Sequence, residues 1–300
     1  NHNEEPMNAR ACAFSLIFLA STAVPVIGFA AGTGDSSAPL VISAGQEGRG
    51  YWGVASRLQS VGEEKGLTVE ILQSGGSLEN LQRLVDPQSP VALALTQSDA
   101  LNQFLGTNPE LAPSVEILEY IGQECVFIIA DNDSGIRSDA DLTRTNGQRI
   151  AISNVDSGAA VTFAYMSLLE PELKNTGVVY MDPLEAMQNF DNAKVDAVMV
   201  VQRPKVRTPE ILLALERPSD FRFVEVNNAK FRGKLPDGEK VYSVLDIPLL
   251  RAEGEVTMSV NSICTKGLLV ASANKLSADQ RRQLNQIIDY DWMRVYATEF

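Results

Sequence analysis

The 300-residue sequence predicts an α/β protein that folds as two lobes. Three observations support this prediction. Strand-like and helix-like segments alternate from Leu40 onward, a polar segment at 131–142 separates two such series, and a strand-like segment near Ser262 returns late in the chain. Alternating order favours parallel sheets whose loops meet at the carboxyl ends of the strands. The 45% apolar fraction is sufficient to form a core for two lobes.

The first series starts with the apolar segment "LVISA", a predicted strand, and continues with an amphipathic helix over 51–65. The segments "LTVEIL", "VALALT", "EILEYIG" and "ECVFIIA" are further predicted strands. In the helix over 51–65, Trp52 is expected to point inward with three aliphatic residues. Further helices are predicted to begin at Ser77 and near Ser98, and we expect Ser77 to be an N-cap because serine oxygens accept hydrogen bonds from free first-turn amides.

The second series contains the predicted strands "QRIAIS", "GVVYM", "VDAVMVV" and "FRFVEV", with helices after Ser157 and over "PLEAMQNF". The segment "SICTKGLLVA" then has the character of a strand that returns to the first series. A Ser-x-x-Gln capping box, Ser277 with Gln280, predicts the start of the C-terminal helix. We therefore predict that lobe 1 comprises residues 38–130 and 262–300 and that lobe 2 comprises residues 131–261.

The N-terminal region has the pattern of a secretory signal peptide. No residue from Ala11 to Gly34 is charged, and Met7 and Arg10 form a short positive region before it. Pro25 and the shortness of the apolar core weigh against a retained membrane anchor. We expect residues 1–31 to be a leader, with translation starting at Met7, and the mature protein to be periplasmic.

Charge and histidine content exclude several function classes. The net charge of −13 argues against nucleic acid as a partner, because no basic stripe is present to neutralise phosphates. The single histidine, His2, lies in the predicted leader, so the mature chain is expected to lack histidine-dependent catalysis and imidazole metal sites. We predict no catalytic residue, metal or cofactor. Cys125 and Cys264 either form a disulfide or remain two buried thiols.

Two α/β lobes joined by crossovers, in an exported chain without a catalytic histidine, indicate a venus-flytrap binding protein. In such folds the ligand lies at strand carboxyl ends and helix N-termini that face each other across a cleft. The helix starts at Ser77 and Ser157 come from different predicted lobes and would offer free N–H groups to an anion.

Four segments resemble, in order and spacing, the TAXI solute-binding subunits of TRAP transporters, which are type II periplasmic binding proteins. They are "SGGSLENLQRL", "ALTQSDAL", "ADNDSGIRSDADL" and "SNVDSGAAVTF". The resemblance covers roughly residues 41–276. It implies a receptor for a small organic acid, glutamate-like or another carboxylate, that delivers its solute to a membrane permease. A signalling receptor that presents its liganded form to a membrane sensor is the alternative, and an enzyme on this fold is a weaker one.

The chain departs from the resemblance at two places, both of which add arginines near the expected cleft. Its first helix opens "GRGYWG", with Arg49 in place of a glycine, and the segment after one lobe 2 strand reads "VVQRPKVRTPEI". A guanidinium group can bind a carboxylate through two hydrogen bonds. Each candidate also has a structural alternative as a cap, core, turn or surface residue. The candidate ligand-binding residues are Arg49, Tyr51, Trp52, Ser77, Gln97, Ser98, Ser157, Gly158, Gln202 and Arg203.

Overall fold

The computed structural model describes residues 38–144, 147–205, 207–232 and 240–296. The predicted leader at 1–31 lies outside the described residues. The strands are β1 Leu40–Ala44, β2 Val69–Gln73, β3 Leu93–Gln97, β4 Val115–Asp131, β5 Arg149–Ile152, β6 Gly177–Tyr180, β7 Ala197–Gln202, β8 Phe221–Val224, β9 Ser243–Leu250 and β10 Val256–Ser272. The α-helices are α1 Gly50–Glu64, α2 Ser77–Val85, α3 Ser98–Thr107, α4 Gly158–Leu169, α5 Pro183–Gln188, α6 Phe190–Ala193, α7 Pro209–Glu216, α8 Ala278–Tyr290 and α9 Trp292–Tyr296.

The ten described strands form one mixed sheet in the order β2-β1-β3-β10-β4-β7-β5-β6, with β8 added on β4 and β9 on β10. It contains two parallel groups. β1 pairs in parallel with β2 and β3, and β5 pairs in parallel with β6 and β7. The antiparallel strands β4 and β10 lie between the two groups and connect them. This arrangement confirms the predicted two-lobed α/β architecture, whereas the lobe boundaries stay a prediction.

The connection between the lobes consists of the two longest strands, β4 and β10, which have 17 residues each. The first part of β4 pairs with β10, and its last part pairs with β7 and β8. The segments "EILEYIG" and "ECVFIIA", predicted as two strands, are therefore one. Cys125 and Cys264 lie opposite each other in the β4–β10 ladder and form a disulfide. Of the two alternatives for these cysteines, the structure has the disulfide.

Apolar side chains pack against both faces of the sheet. α1 contributes Ala55 and Leu58 to one face of lobe 1, and α8 adds Leu284 and Ile287 to the same core. On the opposite face, α2 and α3 pack against β3 and β10 through a second cluster. Within the described ranges, no helix combines the length and the apolar character that crossing a membrane requires.

Several local predictions need correction. Ser77 is not an N-cap: Gly76 occupies that position with φ 145°, and Ser77 is the first helical residue. Trp52, predicted to point inward, is only half-buried because the buried face of α1 is centred on Val54 and Ala55. The helix predicted over 183–190 breaks after Gln188, and α7 and β9 were not predicted.

The capping box at the start of α8 is confirmed. The Ser277 oxygen accepts a hydrogen bond from the Gln280 amide, and the Gln280 side chain accepts one from the Ser277 amide.

Candidate functional site

The helix starts of α2 and α4, one from each predicted lobe, are in direct contact. The Gly76 backbone lies so close to the α4 start that an added Cβ would be 2.8 Å from both the Asp156 carbonyl oxygen and the Ser157 Cα. The amide of Asn154 donates a hydrogen bond to the Gly75 carbonyl oxygen, 3.3 Å away. We call this zone of contact between residues of lobe 1 and lobe 2 the seam. A glycine is required at position 76 by both its positive φ and this approach.

Gln97, at the end of β3, lies at the centre of the seam. Its Oε1 accepts a hydrogen bond from the Ser77 hydroxyl at 3.2 Å, and its Nε2 is 3.5 Å from the Thr162 hydroxyl on α4. Its side chain also lies directly against Gly158, where any Cβ would collide with it. Ser157 caps α4, because its hydroxyl oxygen accepts a hydrogen bond from the Ala160 amide. The structure therefore brings Ser77, Gln97, Ser157 and Gly158 together, and their role in ligand binding stays a prediction.

Asp99, which follows the predicted residue Ser98, is the most fully bonded acid of the seam. Its buried Oδ2 accepts hydrogen bonds from the hydroxyl groups of Thr162 at 2.7 Å and Tyr242 at 2.8 Å. Ser98 and Thr265 share a hydrogen bond of 2.9 Å beside it. Burial raises the pKa of Asp99, and the hydrogen bonds from Thr162 and Tyr242 oppose that rise. The cluster links α3 to elements of lobe 2 through buried polar groups.

Tyr51 and Glu124 form a second buried pair beside the seam. The Tyr51 hydroxyl donates a hydrogen bond of 3.1 Å to Glu124 Oε2, while the Tyr51 ring packs against the core of lobe 1. Burial raises the pKa of Glu124 to about 7, and the positive charge of Arg203 acts in the opposite direction. Burial and the neighbouring Glu124 also raise the pKa of Tyr51 well above its usual value.

Arg203 follows β7 and is buried, with 7% of its surface exposed. Its Nη1 donates a hydrogen bond of 3.4 Å to the Tyr296 carbonyl oxygen, and the guanidinium lies 5.6 Å from the centre of the Tyr296 ring. Its Nη2 has no hydrogen-bond partner among the described residues, and the same holds for Nε2 of the adjacent Gln202. Buried donors without partners are rare in folded proteins, so each of these two donors has unused capacity to bind an acceptor.

Arg49, the N-cap residue of α1, is placed differently from Arg203. Its guanidinium lies 3.3 Å from Glu210 and 3.7 Å from Asp182, which stand at the starts of α7 and α5 in lobe 2. Arg49 is thus already paired with two carboxylates across the lobes. Trp52 is half-buried, and no polar contact of the described residues connects its ring with the seam.

Sequence reasoning missed five residues of the site, namely Asp99, Glu124, Thr162, Glu210 and Tyr242. Asp99 lies inside the "ALTQSDAL" segment that carries the resemblance, so a signal for it was present. The other four carry no local sequence signal, because their role depends on partners far away in the sequence. Among the described residues, no cluster of acidic or cysteine side chains has a geometry that could hold a metal ion.

Comparison with known proteins places the fold. No protein-family model and no curated protein matches the sequence. A solved structure of a protein from Bordetella bronchiseptica RB50 is similar, with 14% identity, 86% of this chain and 70% of that chain covered, and a TM-score of 0.52. The GluR0 ligand binding core in complex with L-glutamate has 11% identity, with 87% of this chain and 96% of that chain covered and a TM-score of 0.49.

A third similar structure is the arginine-, lysine-, histidine-binding protein ArtJ from Geobacillus stearothermophilus. It has 14% identity, with 86% of this chain and 94% of that chain covered and a TM-score of 0.46. The chain shares a two-lobed α/β fold with the first of these structures. At these identities the similarity concerns the fold alone.

Proposed function

We propose that this chain is a periplasmic, non-enzymatic receptor that binds a small organic acid between its lobes and delivers it to a TRAP-type membrane permease. The solute is glutamate-like or another carboxylate. The resemblance of the four sequence segments supports the permease, and the signal-peptide pattern supports the periplasm.

The observation that carries the proposal is that Nη2 of Arg203 has no hydrogen-bond partner within the described parts of the chain. A guanidinium group remains charged at any physiological pH, and a buried one needs an acceptor. Nε2 of the preceding residue, Gln202, is a second buried donor for which the described residues offer no partner. A carboxylate of the solute would give Arg203 Nη2 the acceptor that it lacks among the described residues.

The relative energies of the available donors indicate that Arg203 dominates anion binding. Each helix start, at Ser77 or Gly158, contributes roughly 0.3–1 kcal/mol to an anion in a partly solvated site. A hydrogen bond to a charged group contributes about 1.5–3 kcal/mol. Arg49 is a weaker candidate because Glu210 and Asp182 already neutralise it.

The test begins with native mass spectrometry of freshly purified protein, which weighs any solute that copurifies. Calorimetry with that solute, or with L-glutamate if none is found, should show that Arg203→Ala binds roughly 10- to 100-fold more weakly than wild type. Arg282→Ala is the matched control, because Arg282 is exposed on α8 and remote from the seam. Wild-type affinity in Arg203→Ala would contradict the guanidinium site.

Delivery to a permease is tested separately from binding. Purified receptor should restore solute uptake by vesicles that contain TRAP membrane subunits encoded beside its gene. Binding without uptake, together with a specific complex with the outer domain of a sensor kinase, would replace the transport function with signalling.

A further inference from the structure

Glu124 is a buried acid beside the arginine of the proposed solute site. It lies on β4, and 7% of its surface is exposed. The next residue, Cys125, lies opposite Gln202 in the β4–β7 ladder, so the same register continued by one residue sets Arg203 opposite Glu124. Side chains that lie opposite each other on antiparallel strands are close enough to interact. The charges of Glu124 and Arg203 interact, and the two residues belong to one buried cluster.

Glu124 is weakly hydrogen-bonded for a buried carboxylate. Among the described residues, its donor is the Tyr51 hydroxyl, 3.1 Å from Oε2. Arg203 does not add to this, because its Nη1 donates to the Tyr296 carbonyl oxygen and its Nη2 has no partner in the described part of the chain. An ionised carboxylate can accept about four hydrogen bonds and is costly to bury with fewer. Uptake of a proton removes that cost.

The groups around Glu124 on lobe 1 helices and on β4 do not stabilise its negative charge beyond this one hydrogen bond. Asp99 on α3 is a second buried acid, and its charge opposes ionisation of Glu124. Tyr51 on α1 and Tyr120 on β4 are phenols, and burial raises the pKa of each, so both stay neutral. Arg203 is therefore the group whose charge favours an ionised Glu124.

The neighbouring strand β10 presents no charge to Glu124. Thr265 lies opposite Glu124 in the β4–β10 ladder. Gly267, two residues further on, faces the same way, because a Cβ on it would lie 3.2 Å from Glu124 Oε1. Side chains alternate between the two faces of a strand, so Lys266, between these two residues, projects from the other face.

A solute carboxylate at Arg203 changes the charge balance of this cluster. Without it, an ionised Glu124 partly offsets the guanidinium charge. With it, two carboxylates share one buried cation, and such an arrangement favours the protonated form of one of them. The solute carboxylate binds the guanidinium directly, whereas Glu124 does not accept a hydrogen bond from it. Glu124 is thus the acid that becomes neutral.

We propose that Glu124 takes up a proton from solvent when a solute carboxylate binds to Arg203, and that solute affinity therefore depends on pH. The proton is held on a carboxyl oxygen of Glu124 and is released again when the solute leaves. This inference rests on the proposed function and adds a mode of regulation to the same site. Glu124 does not contact the solute; it acts through the charge of Arg203.

The direction of the pH dependence follows from proton linkage. Burial raises the pKa of Glu124 to about 7 before solute binds. Below that pH Glu124 is protonated with and without solute, and affinity is highest. Above it, binding requires uptake of a proton, so affinity falls as pH rises until Glu124 in the complex ionises as well. Between about pH 6 and 8 the affinity should fall up to about tenfold.

The test is calorimetry of the full chain with L-glutamate and with acetate between about pH 6 and 8. The carboxylates of both compounds are ionised throughout this range, so a change of affinity with pH comes from the protein. Titrations in PIPES and in imidazole buffer, which differ in ionisation enthalpy, give the number of protons taken up. We expect about half a proton per carboxylate bound near pH 7 and weaker binding near pH 8.

Matched variants assign the proton. Glu124→Gln carries a neutral side chain at every pH, so near pH 8 it should bind L-glutamate up to about tenfold more tightly than wild type, without proton uptake. Glu116→Gln is the control, because Glu116 is an exposed glutamate of the same strand that pairs with Arg281 on α8. Its pH dependence should match wild type, and a thermal melt verifies that each variant is folded.

The outcomes separate this inference from the receptor function. Carboxylate binding with constant affinity and no proton uptake in wild type would overturn the role of Glu124 and leave the receptor function standing. Proton uptake that persists in Glu124→Gln and is lost in Asp99→Asn would assign the proton to Asp99 and overturn the inference too. No binding of either compound near pH 6 would contradict the carboxylate site at Arg203 itself, and the inference would fall with it.

Discussion

Two buried charged residues near the seam, Asp99 and Arg203, have opposite degrees of hydrogen bonding. Asp99 accepts hydrogen bonds from Thr162, Tyr242 and the amide of Ala100. Arg203 makes one long hydrogen bond, to the Tyr296 carbonyl oxygen, and its Nη2 has no partner among the described residues. Both side chains are less than a tenth exposed.

The difference separates a structural charge from a binding charge. A buried polar network whose members are all bonded holds the folded state together, whereas an unbonded buried group destabilises it. Asp99 thus connects α3 to residues of lobe 2 through hydrogen bonds. Arg203 is buried, but its Nη2 lacks a hydrogen-bond partner among the described residues. Such a residue gains its full set of hydrogen bonds when an acceptor enters.

The largest effect is expected for Asp99→Ala. This change leaves the hydroxyl groups of Thr162 and Tyr242 without their acceptor in a buried site, and we expect the free energy of unfolding to fall by about 4 kcal/mol. Urea unfolding followed by circular dichroism measures it. Asp99→Asn is the control and should lose less stability than Asp99→Ala, since the amide oxygen can still accept a hydrogen bond. Wild-type stability in Asp99→Ala would mean that the network does not hold the lobes.

The next effect concerns Glu124 and pH. Because burial raises its pKa to about 7, the folded state binds more protons than the unfolded state between roughly pH 4.5 and 7. This contribution to stability is present at low pH and is lost as pH rises through 7, and it amounts to roughly 3 kcal/mol. Between roughly pH 4.5 and 7 the free energy of unfolding should fall less steeply with pH in Glu124→Gln than in wild type. The amide oxygen of the new side chain still accepts a hydrogen bond from Tyr51. Identical pH profiles would show that Glu124 titrates normally.

A smaller effect of opposite sign is expected for Arg203→Met in the ligand-free protein. Replacing a buried charge that is only partly hydrogen-bonded with an apolar side chain of similar length is often neutral or stabilising, here by about 1 kcal/mol. Thermal unfolding measures the change, and the same variant should bind the solute poorly. A fall of several kcal/mol in the free energy of unfolding would show that Arg203 stabilises the fold as much as Asp99 does.

The smallest effect is expected for Arg49→Gln. Arg49 is 46% exposed, so its ion pairs with Asp182 and Glu210 are screened and contribute about 0.5–1 kcal/mol. The stability of wild type should therefore fall with added salt slightly more than that of Arg49→Gln. Parallel salt dependence in both proteins would indicate that the interlobe ion pairs do not contribute to stability.

Much of the fold was predictable, because hydrophobic periodicity and turn residues are local signals. The alternation of strands and helices, the helix start near Ser98 and the capping box at Ser277 were read directly from the chain. β9 was missed because Pro248 interrupts a segment that follows a run of glycine, proline and charged residues. Ser77 had the sequence of a cap, but contact between α2 and α4 fixed Gly76 in a conformation that moved the cap position by one residue.

The site was less predictable than the fold. Gln97 and Ser157 were found because strand ends and helix starts are where ligands bind in such folds. Thr162 and Tyr242 carry no local mark, since their importance comes from Asp99, which is 63 and 143 residues away in the sequence. The pairing of Arg49 with lobe 2 carboxylates depends equally on tertiary contact. Roles of the candidate residues in ligand binding stay predictions.

The position of β10 has a consequence for the order in which the chain folds. Of the described strands, β10 is the last to be synthesised, yet it lies between β3 and β4 in the middle of the sheet. Until it arrives, both neighbours present unpaired backbone edges, and pairings between residues far apart in sequence form slowly. Its Cys264 bonds to Cys125, 139 residues earlier, so this disulfide forms only after lobe 2 has been made. A nascent chain that stops before residue 256 has an open sheet with a strong tendency to aggregate.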